Sequence, residues 1–170
     1  VEDNEAPVAL CNDLTVQLDV NGNGSITAGD VDAGSSDNCG IASITLNPTS
    51  FDCSNVGANT STLTVTDSSG NSATCDANIT VEDNVAPNAV CQDITVYLDQ
   101  NGLVFVTAAD IDGGSTDACG IANISTNAFV YGCGNVGDNP AILTVTDVNG
   151  NVDTCNATIT VEDTIAPTVI

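Results

Sequence analysis

Short stretches in which apolar and polar residues alternate run along the whole chain. Val, Ile and Thr dominate these stretches, and Gly, Asn, Asp and Pro separate them. Such alternation turns one face toward a core and the other toward water, which is typical of short β-strands. The first 80 residues predict strands near 8–11, 14–19, 25–28, 41–46, 50–53, 61–67 and 72–81, and no long helix. The pattern therefore predicts an all-β fold of the sandwich type.

The pattern repeats after 80 residues. Shifted by that distance, the chain matches itself at 45 of 80 positions without a gap. A fixed period of this kind indicates tandem copies of one module. We predict two modules, residues 1–80 and 81–160. Residues 161–170 are interpreted either as the linker and first strand of a further module or as a donor strand for a neighbouring molecule.

The charge is one-sided. The chain has 23 Asp and Glu residues and no Lys, Arg or His, so its formal net charge is -23. Nucleic acids and anionic membranes require basic side chains, so neither is an expected partner. No apolar run is long enough for membrane insertion. Ser or Cys nucleophiles would lack the usual His or Lys base, and we expect no enzyme activity. A carboxylate-based hydrolase is the remaining catalytic alternative.

Eight cysteines recur with the same spacing in both modules. They are Cys11, Cys39, Cys53 and Cys75, then Cys91, Cys119, Cys133 and Cys155. An even, repeated set indicates disulfides and an oxidising compartment, so we expect an extracellular or cell-surface protein. Zinc is disfavoured because there is no histidine and no Cys-x-x-Cys pair. Four cysteines per module allow three pairings.

Two segments of each module carry a resemblance to a known family. "APVALCNDLTVQLDVNGNGSITAGDVDAGSSDNCGI" and "VGANTSTLTVTDSSGNSATCDANITVED" resemble hyalin-repeat (HYR-type) modules, which occur in tandem in secreted and cell-surface proteins, including bacterial adhesins. The most specific part is "TVTDxxGNxxTC" at 64–75 and 144–155. The resemblance implies tandem immunoglobulin-like β-sandwich modules with an adhesive or structural role.

The strand order, taken together with this resemblance, favours one pairing. The first and last strands commonly lie close in such sandwiches, and they carry Cys11 and Cys75. Cys39 and Cys53 flank the strand at 41–46 and the strand that follows it. We therefore predict the disulfides Cys11–Cys75 and Cys39–Cys53, repeated as Cys91–Cys155 and Cys119–Cys133.

An acidic, proline-ended heptapeptide opens each module: "VEDNEAP" at 1–7, "VEDNVAP" at 81–87 and "VEDTIAP" at 161–167. In an immunoglobulin-like module this linker lies near the loops at one end, and those loops are also acidic. Calcium takes six to eight oxygen ligands and would offset the repulsion. The predicted ligands are Glu2, Asp3, Asn4, Asp30, Asp32, Asp37 and Asp67 in module 1, and Glu82, Asp83, Asn84, Asp110, Asp112, Asp117 and Asp147 in module 2.

The acidic heptapeptides of this chain are similar to the Asp/Asn-rich, proline-ended linkers of cadherins. In cadherins, calcium stiffens the joint between modules. The alternative is that each Asp only stabilises a turn. The stretch "DVNGNGSITAGD" at 19–30 fits an EF-hand loop loosely, but it lacks flanking helices and we interpret it as a hairpin turn.

Several positions fit glycosylation signals. The Asn-x-Ser/Thr sequences fall at Asn23, Asn59, Asn78, Asn123 and Asn156, and "DTI" offers Thr164 for O-linked glycans of the kind found on some secreted bacterial proteins.

The functional hypothesis is an extracellular structural or adhesive repeat protein that forms a calcium-stiffened rod or filament. Identical modules, stacked end to end, would be its partners. The alternative is a carbohydrate- or protein-binding accessory module of a larger secreted protein, in which loop carboxylates and calcium hold sugar hydroxyls.

Overall fold

The computed structural model describes residues 3–167. The fold is all-β, with two tandem immunoglobulin-like β-sandwich modules that contain disulfides. The chain divides into two compact units, with the boundary between Val85 and Ala86. Each unit is described separately below.

Unit 1 contains a four-stranded and a two-stranded sheet. Its elements are β1 (Leu14–Gln17), β2 (Asn23–Ser25), α1 (Ala28–Val31), β3 (Ile41–Asn47), β4 (Ser50–Asp52), a 3-10 turn (Cys53–Asn55), β5 (Gly57–Asp67) and β6 (Ser72–Glu82). The larger sheet has the order β1-β6-β5-β3, and β2 pairs with β4. β1 runs parallel to β6, whereas β5 is antiparallel to both β6 and β3.

Unit 2 repeats this arrangement. Its elements are β7 (Ile94–Tyr97), β8 (Leu103–Phe105), α2 (Ala108–Ile111), β9 (Ile121–Thr126), β10 (Val130–Gly132), a 3-10 turn (Cys133–Asn135), β11 (Gly137–Asp147) and β12 (Val152–Glu162). The sheet orders are β7-β12-β11-β9 and β10-β8.

Most predicted strands are present, with four differences in unit 1. The strand predicted near 25–28 lies instead at Asn23–Ser25, and Ala28 already begins α1. The stretch 8–11 forms only isolated bridges, Val8 with Ser36 and Cys11 with Asp32, because its backbone crosses a loop instead of a strand. β5 begins at Gly57, four residues before the predicted start, because its first residues pair with the end of β6. The short helix α1 was not predicted, since four residues carry no helical period.

The core is built from the alternating positions of the long strands. In β5, Leu63 and Val65 are fully buried, and in β6 Ala77 and Ile79 face the same core. The same positions shifted by 80 are buried in unit 2: Leu143, Val145, Ala157 and Ile159. The period of two in the sequence therefore sets which face of each sheet is apolar.

Two of the four predicted disulfides are present. Cys11 pairs with Cys75 and Cys91 with Cys155, with Cα–Cα distances of 6.0 and 5.7 Å. Each bridge ties the segment before the first strand to the last strand of its unit.

The predicted pairs Cys39–Cys53 and Cys119–Cys133 are wrong, because Cys39 and Cys133 are free thiols. We call the end of unit 1 that holds the β5–β6 turn, residues 68–71, its proximal end, and the end where β5 begins its distal end. Cys39 is proximal, since the neighbouring Gly40 accepts a hydrogen bond from Ser68 N at 3.1 Å. Cys53 is distal, in the 3-10 turn that leads into β5.

The length of β5 explains the error. Its 11 residues extend on the order of 30 Å between the two ends, at about 3.3 Å per residue. A disulfide requires Cα atoms within about 7 Å. The pairing was predicted because Cys39 and Cys53 flank the strand at 41–46 and the strand that follows it, whereas the tertiary fold places them at opposite ends of the unit.

Candidate metal site

Three carboxylates converge at the proximal end of unit 1. Asp3, Asp37 and Asp67 each offer an oxygen, and these oxygens all lie within 4.8 Å of one another. Asp67 is the last residue of β5, Asp37 lies in the loop before β3, and Asp3 belongs to the opening heptapeptide. The structure therefore brings together residues that are far apart in sequence, all three from the predicted ligand set.

Local hydrogen bonds orient all three side chains. Asp3 Oδ1 accepts from Glu5 N at 3.1 Å. Asp67 Oδ1 accepts from the backbone N–H groups of Ser69 and Asn71, both at 2.8 Å, which closes the β5–β6 turn. Asp37 Oδ1 accepts from Cys39 N at 2.8 Å. Backbone N–H groups thus orient each carboxylate through its Oδ1 atom.

Asn71 connects Asp67 to the opening segment. Its side-chain amide donates to Asp67 Oδ2 at 2.7 Å and to the Asp3 carbonyl at 3.1 Å. Sequence reasoning did not select Asn71 as a positioning residue, although the recurrent "GN" that ends this turn in both modules was the available signal.

No basic side chain offsets the negative charge of the cluster, since the chain has no Lys, Arg or His. Asp67 is only 2% exposed. Asp3 Oδ2 is buried and has no hydrogen-bond partner among residues 3–167. An ionised oxygen in that position is costly unless a cation or donor faces it.

The surroundings at the proximal end of unit 1 shift the pKa of the Asp67 carboxyl and of the Cys39 thiol. Burial of Asp67 opposes its ionisation, but hydrogen bonds from Asn71, Ser69 and Gly70 outweigh it and lower the pKa of this carboxyl. The pKa of the Cys39 thiol is raised, first by its hydrogen bond with Asp3, then by partial loss of hydration and by the nearby negative charges. The hydrogen bonds at the turn therefore favour the ionised form of the Asp67 carboxyl.

Four other predicted ligands are engaged in local caps. Asp30 and Asp110 accept from the backbone N and the hydroxyl of Thr27 and Thr107, at 2.7 Å in each case, and cap α1 and α2. Asp32 and Asp112 accept from the backbone N of Ser35 and Ser115. These hydrogen bonds lower the pKa of all four carboxyls.

The second heptapeptide contributes to a polar network in unit 1. Gln17 Nε2 donates to Glu82 Oε2 at 2.7 Å, and Asn84 Nδ2 donates to Gln17 Oε1 at 2.7 Å. Asp83 is 7% exposed, and its Oδ1 accepts from Val85 N at 3.1 Å. In the first heptapeptide Asn4 is exposed, and Glu2 lies outside the described residues.

Unit 2 has the equivalent turns. Asp147 is 1% exposed, and its Oδ1 accepts from the backbone N of Asn149 and Asn151. Asp117 Oδ1 accepts from Cys119 N and Gly120 N, at 2.8 and 2.9 Å. The local geometry that orients Asp37 and Asp67 in unit 1 is therefore built again at Asp117 and Asp147.

The EF-hand alternative at 19–30 has no support in the local structure. Asp19 Oδ1 accepts from Asn21 N and Asn23 N at 2.9 Å, and Gly22 N donates to the Asp19 carbonyl. The stretch is a hydrogen-bonded turn, as interpreted from the sequence. It connects β1 to β2, which belong to different sheets, and is therefore not a hairpin.

The predicted glycosylation positions differ in accessibility. Asn23, Asn78, Asn123, Asn156 and Thr164 are exposed. Asn59 is half-buried, and its side-chain nitrogen donates to the carbonyls of Asn55 and Gly57 at 2.6 and 3.2 Å. The side-chain nitrogens of Asn23 and Asn78 also donate hydrogen bonds, to the Asn21 carbonyl and the Asp13 carboxylate. Glycosylation stays a prediction at all six positions.

Unit 2 also exposes aromatic residues that the sequence did not single out. Phe105, Phe129 and Tyr97 are 71%, 60% and 56% exposed. Phe105 pairs with Val130 across the β8–β10 sheet, and Phe129 directly precedes Val130. The equivalent residues of unit 1 are polar: Ser25 and Thr49 replace the two phenylalanines. The comparison of the two repeats was the signal that would have found this surface.

Comparison with known proteins gives no family assignment: no family model matches this sequence, and no curated protein matches it. The hyalin-repeat resemblance therefore stays a prediction. None of the helices in the described part of the chain is long or apolar enough to cross a bilayer.

The fold is similar to that of several solved multi-domain structures. Human protocadherin-24 EC1-2 has a TM-score of 0.48 at 13% identity, with 94% of this chain and 100% of that chain covered. For human mucin-like protocadherin EC1-2 the TM-score is 0.45 and the sequence identity is 12%, with 92% of this chain and 98% of that chain covered. For the fibronectin(III)-like modules of Clostridium thermocellum CbhA the TM-score is 0.32 and the sequence identity is 13%, with 94% of this chain and 93% of that chain covered. At these scores the likeness carries no functional information about this chain.

Proposed function

We propose that this chain is an extracellular structural or adhesive repeat protein whose proximal acidic site binds calcium, and that its modules continue end to end as a rod or filament. The observation that carries the proposal is the cluster of Asp3, Asp37 and Asp67 in a chain without any basic side chain. The disulfides Cys11–Cys75 and Cys91–Cys155 support an oxidising compartment.

Calcium fits the donor set better than the alternatives. All the convergent side-chain donors are carboxylate oxygens, and calcium prefers oxygen ligands in irregular arrangements. Zinc would favour nitrogen or sulfur ligands. The interpretation of each Asp as a turn former accounts for Asp30 and Asp32, whose hydrogen bonds complete local caps. It leaves Asp3 Oδ2 without a partner among the described residues.

The site also gives calcium a structural task. Asp3 precedes the first strand, whereas Asp37 and Asp67 belong to the loops of the sandwich. An ion held by all three would fasten the opening heptapeptide to the body of unit 1. Pro7, which is buried, fixes its own φ immediately after the acidic residues and would limit motion of the fastened segment. A chain of units fastened in this way would resist bending.

The test is thermal unfolding of the full chain with calcium and with chelator. Free calcium at one hundred times Kd stabilises the binding unit by about 2.7 kcal/mol, and so raises its Tm by roughly 10–20 °C. Sodium chloride at matched ionic strength separates coordination from screening. Isothermal titration calorimetry gives the affinity and the number of ions.

Two matched variants locate the effect. Asp37→Asn keeps an oxygen for Cys39 N but removes one charge from the cluster, and we expect calcium affinity to fall about tenfold or more, because affinity follows the number of charged ligands. Asp52→Asn is the control, since Asp52 makes the same kind of turn with Ser54 N at 2.8 Å away from the cluster. An identical calcium response in both variants would overturn the proposed site.

A second function is favoured by the exposed aromatic residues. Phe105 and Phe129 are both exposed in unit 2, and a flat aromatic face is a common platform for a sugar ring. The chain would then serve as a carbohydrate-binding accessory module. A glycan array probed with the wild type and with Phe105→Ser, which restores the residue of unit 1, tests this role. Binding that is lost in Phe105→Ser supports it, and no binding by the wild type rejects it.

A further inference from the structure

Each unit has two cysteines besides those of the Cys11–Cys75 and Cys91–Cys155 bridges, one near each end of the unit. Cys39 and its repeat Cys119 are proximal, next to Gly40 and Gly120, whose carbonyls accept hydrogen bonds from the β5–β6 and β11–β12 turns. Cys53 and its repeat Cys133 are distal, in the 3-10 turns. The long strand between the ends prevents a bridge within one unit.

The repeated cysteines differ in oxidation state. Cys53 and Cys119 are disulfide-bonded. Their repeats, Cys133 and Cys39, are free and exposed. The local sequences match: "DNCGI" corresponds to "DACGI", and "CSNVG" corresponds to "CGNVG". Both the proximal and the distal position are therefore suited to disulfide formation, and each chain retains one unused thiol of each kind.

We propose that Cys133 of one copy of this chain and Cys39 of a second copy form an intermolecular disulfide that joins the copies head to tail. Each chain has one free distal thiol and one free proximal thiol, so every added copy leaves a free thiol at each end of the polymer. A head-to-tail contact that does not close into a ring extends in this way into an open filament. The proposal rests on the proposed function for its end-to-end arrangement, but it does not depend on calcium.

The chemistry is thiol–disulfide exchange with a low-molecular-weight disulfide. A Cys133 thiolate attacks that disulfide, forms a mixed disulfide and releases one small thiol. The Cys39 thiolate of the second copy then attacks the Cys133 sulfur and releases the second small thiol. Two protein thiols are oxidised to one S–S bond, and one small disulfide is reduced to two thiols.

The surroundings of Cys133 leave room for a partner. Its sulfur lies 3.8 Å from the Gly102 carbonyl oxygen, at the wall of an open cavity of about 540 Å³ that Asp99, Asp163 and Pro167 also line. A Cβ placed on the adjacent Gly134 would meet nothing within 4 Å. Cys39 is likewise exposed, in a loop, so that a loop carrying a thiol can approach the cavity.

The test uses the full 170-residue chain, oxidised glutathione as the small disulfide, and non-reducing electrophoresis. We expect a ladder of covalent multimers that a reductant returns to the monomer. Cys39→Ser and Cys133→Ser should each remain monomeric when incubated alone. A mixture of the two variants should stop at a covalent dimer, because it contains one thiol of each kind. Both residues are exposed, and circular dichroism checks that the variants are folded.

Mass spectrometry identifies the bond. The chain has no tryptic sites, so cleavage after acidic residues is required, and a mixture of nitrogen-15 and unlabelled chains shows whether the linked peptides come from different copies. A Cys39–Cys133 peptide with mixed labels supports the proposal. A bond within one chain, a dimer of Cys39→Ser through two Cys133 residues, or no covalent product would overturn it.

Repeating the reaction in calcium and in chelator separates the two proposals. A ladder in both conditions, with no calcium effect on Tm, leaves the disulfide linkage standing and rejects the calcium site. A calcium-dependent Tm without a ladder rejects the linkage and leaves the calcium site standing.

Discussion

Removal of the Cys11–Cys75 bridge is the perturbation whose magnitude follows most directly from the structure. The bridge closes a loop with a sequence separation of 64 residues. In the chain-entropy model such a loop contributes about 4.3 kcal/mol at 25 °C, because the bridge restricts the unfolded chain. Dividing this free energy by the unfolding entropy of a unit of this size gives a fall in Tm of roughly 25 °C. Cys11→Ala/Cys75→Ala should therefore leave unit 1 marginal or unfolded at 37 °C.

Differential scanning calorimetry and urea unfolding measure this loss at a fixed calcium concentration. Cys91→Ala/Cys155→Ala is the matched variant, since its bridge also has a separation of 64 residues and we expect the same loss in unit 2. Cys39→Ser is the control for the loss of an exposed sulfur and should change stability by less than about 0.5 kcal/mol. A loss below about 1 kcal/mol for the double variant would refute the loop-entropy reasoning.

Two further predictions concern single side chains and pH. The Tyr131 hydroxyl is buried without a hydrogen-bond partner among the described residues, and unit 1 has Phe51 at this position, so Tyr131→Phe should raise stability by about 1 kcal/mol and Phe51→Tyr should lower it, as measured by urea unfolding. Hydrogen bonds lower the pKa of several carboxyls below 3.8, for example Asp13 through Asn78. Because the pKa of these carboxyls is lower in the folded than in the unfolded chain, they stabilise the fold above about pH 4, and this stabilisation is lost as the pH falls through the folded pKa. Acid titration followed by circular dichroism should therefore show unfolding below pH 4 and not between pH 5 and 7.

Local patterning was sufficient to predict most of the fold. Alternation over 61–67 and 72–81 identified the two central strands, because a half-buried strand requires a period of two whatever its partners are. The 80-residue period predicted that unit 2 would repeat unit 1. The strand order, together with the hyalin-repeat resemblance, predicted Cys11–Cys75. The sequence also identified all three members of the acidic cluster within a longer set of candidates.

Only the tertiary structure decided which residues of that set converge. Asp30 and Asp32 share the acidic character of Asp37 and Asp67, but the first two turn back to cap α1 and the loop after it. Cys39 and Cys53 were predicted to pair because they flank the strand at 41–46 and the strand that follows it. The register of β5 against β3 and β6 places them at opposite ends. Register depends on pairings between distant segments, and neither composition nor local periodicity contains that information.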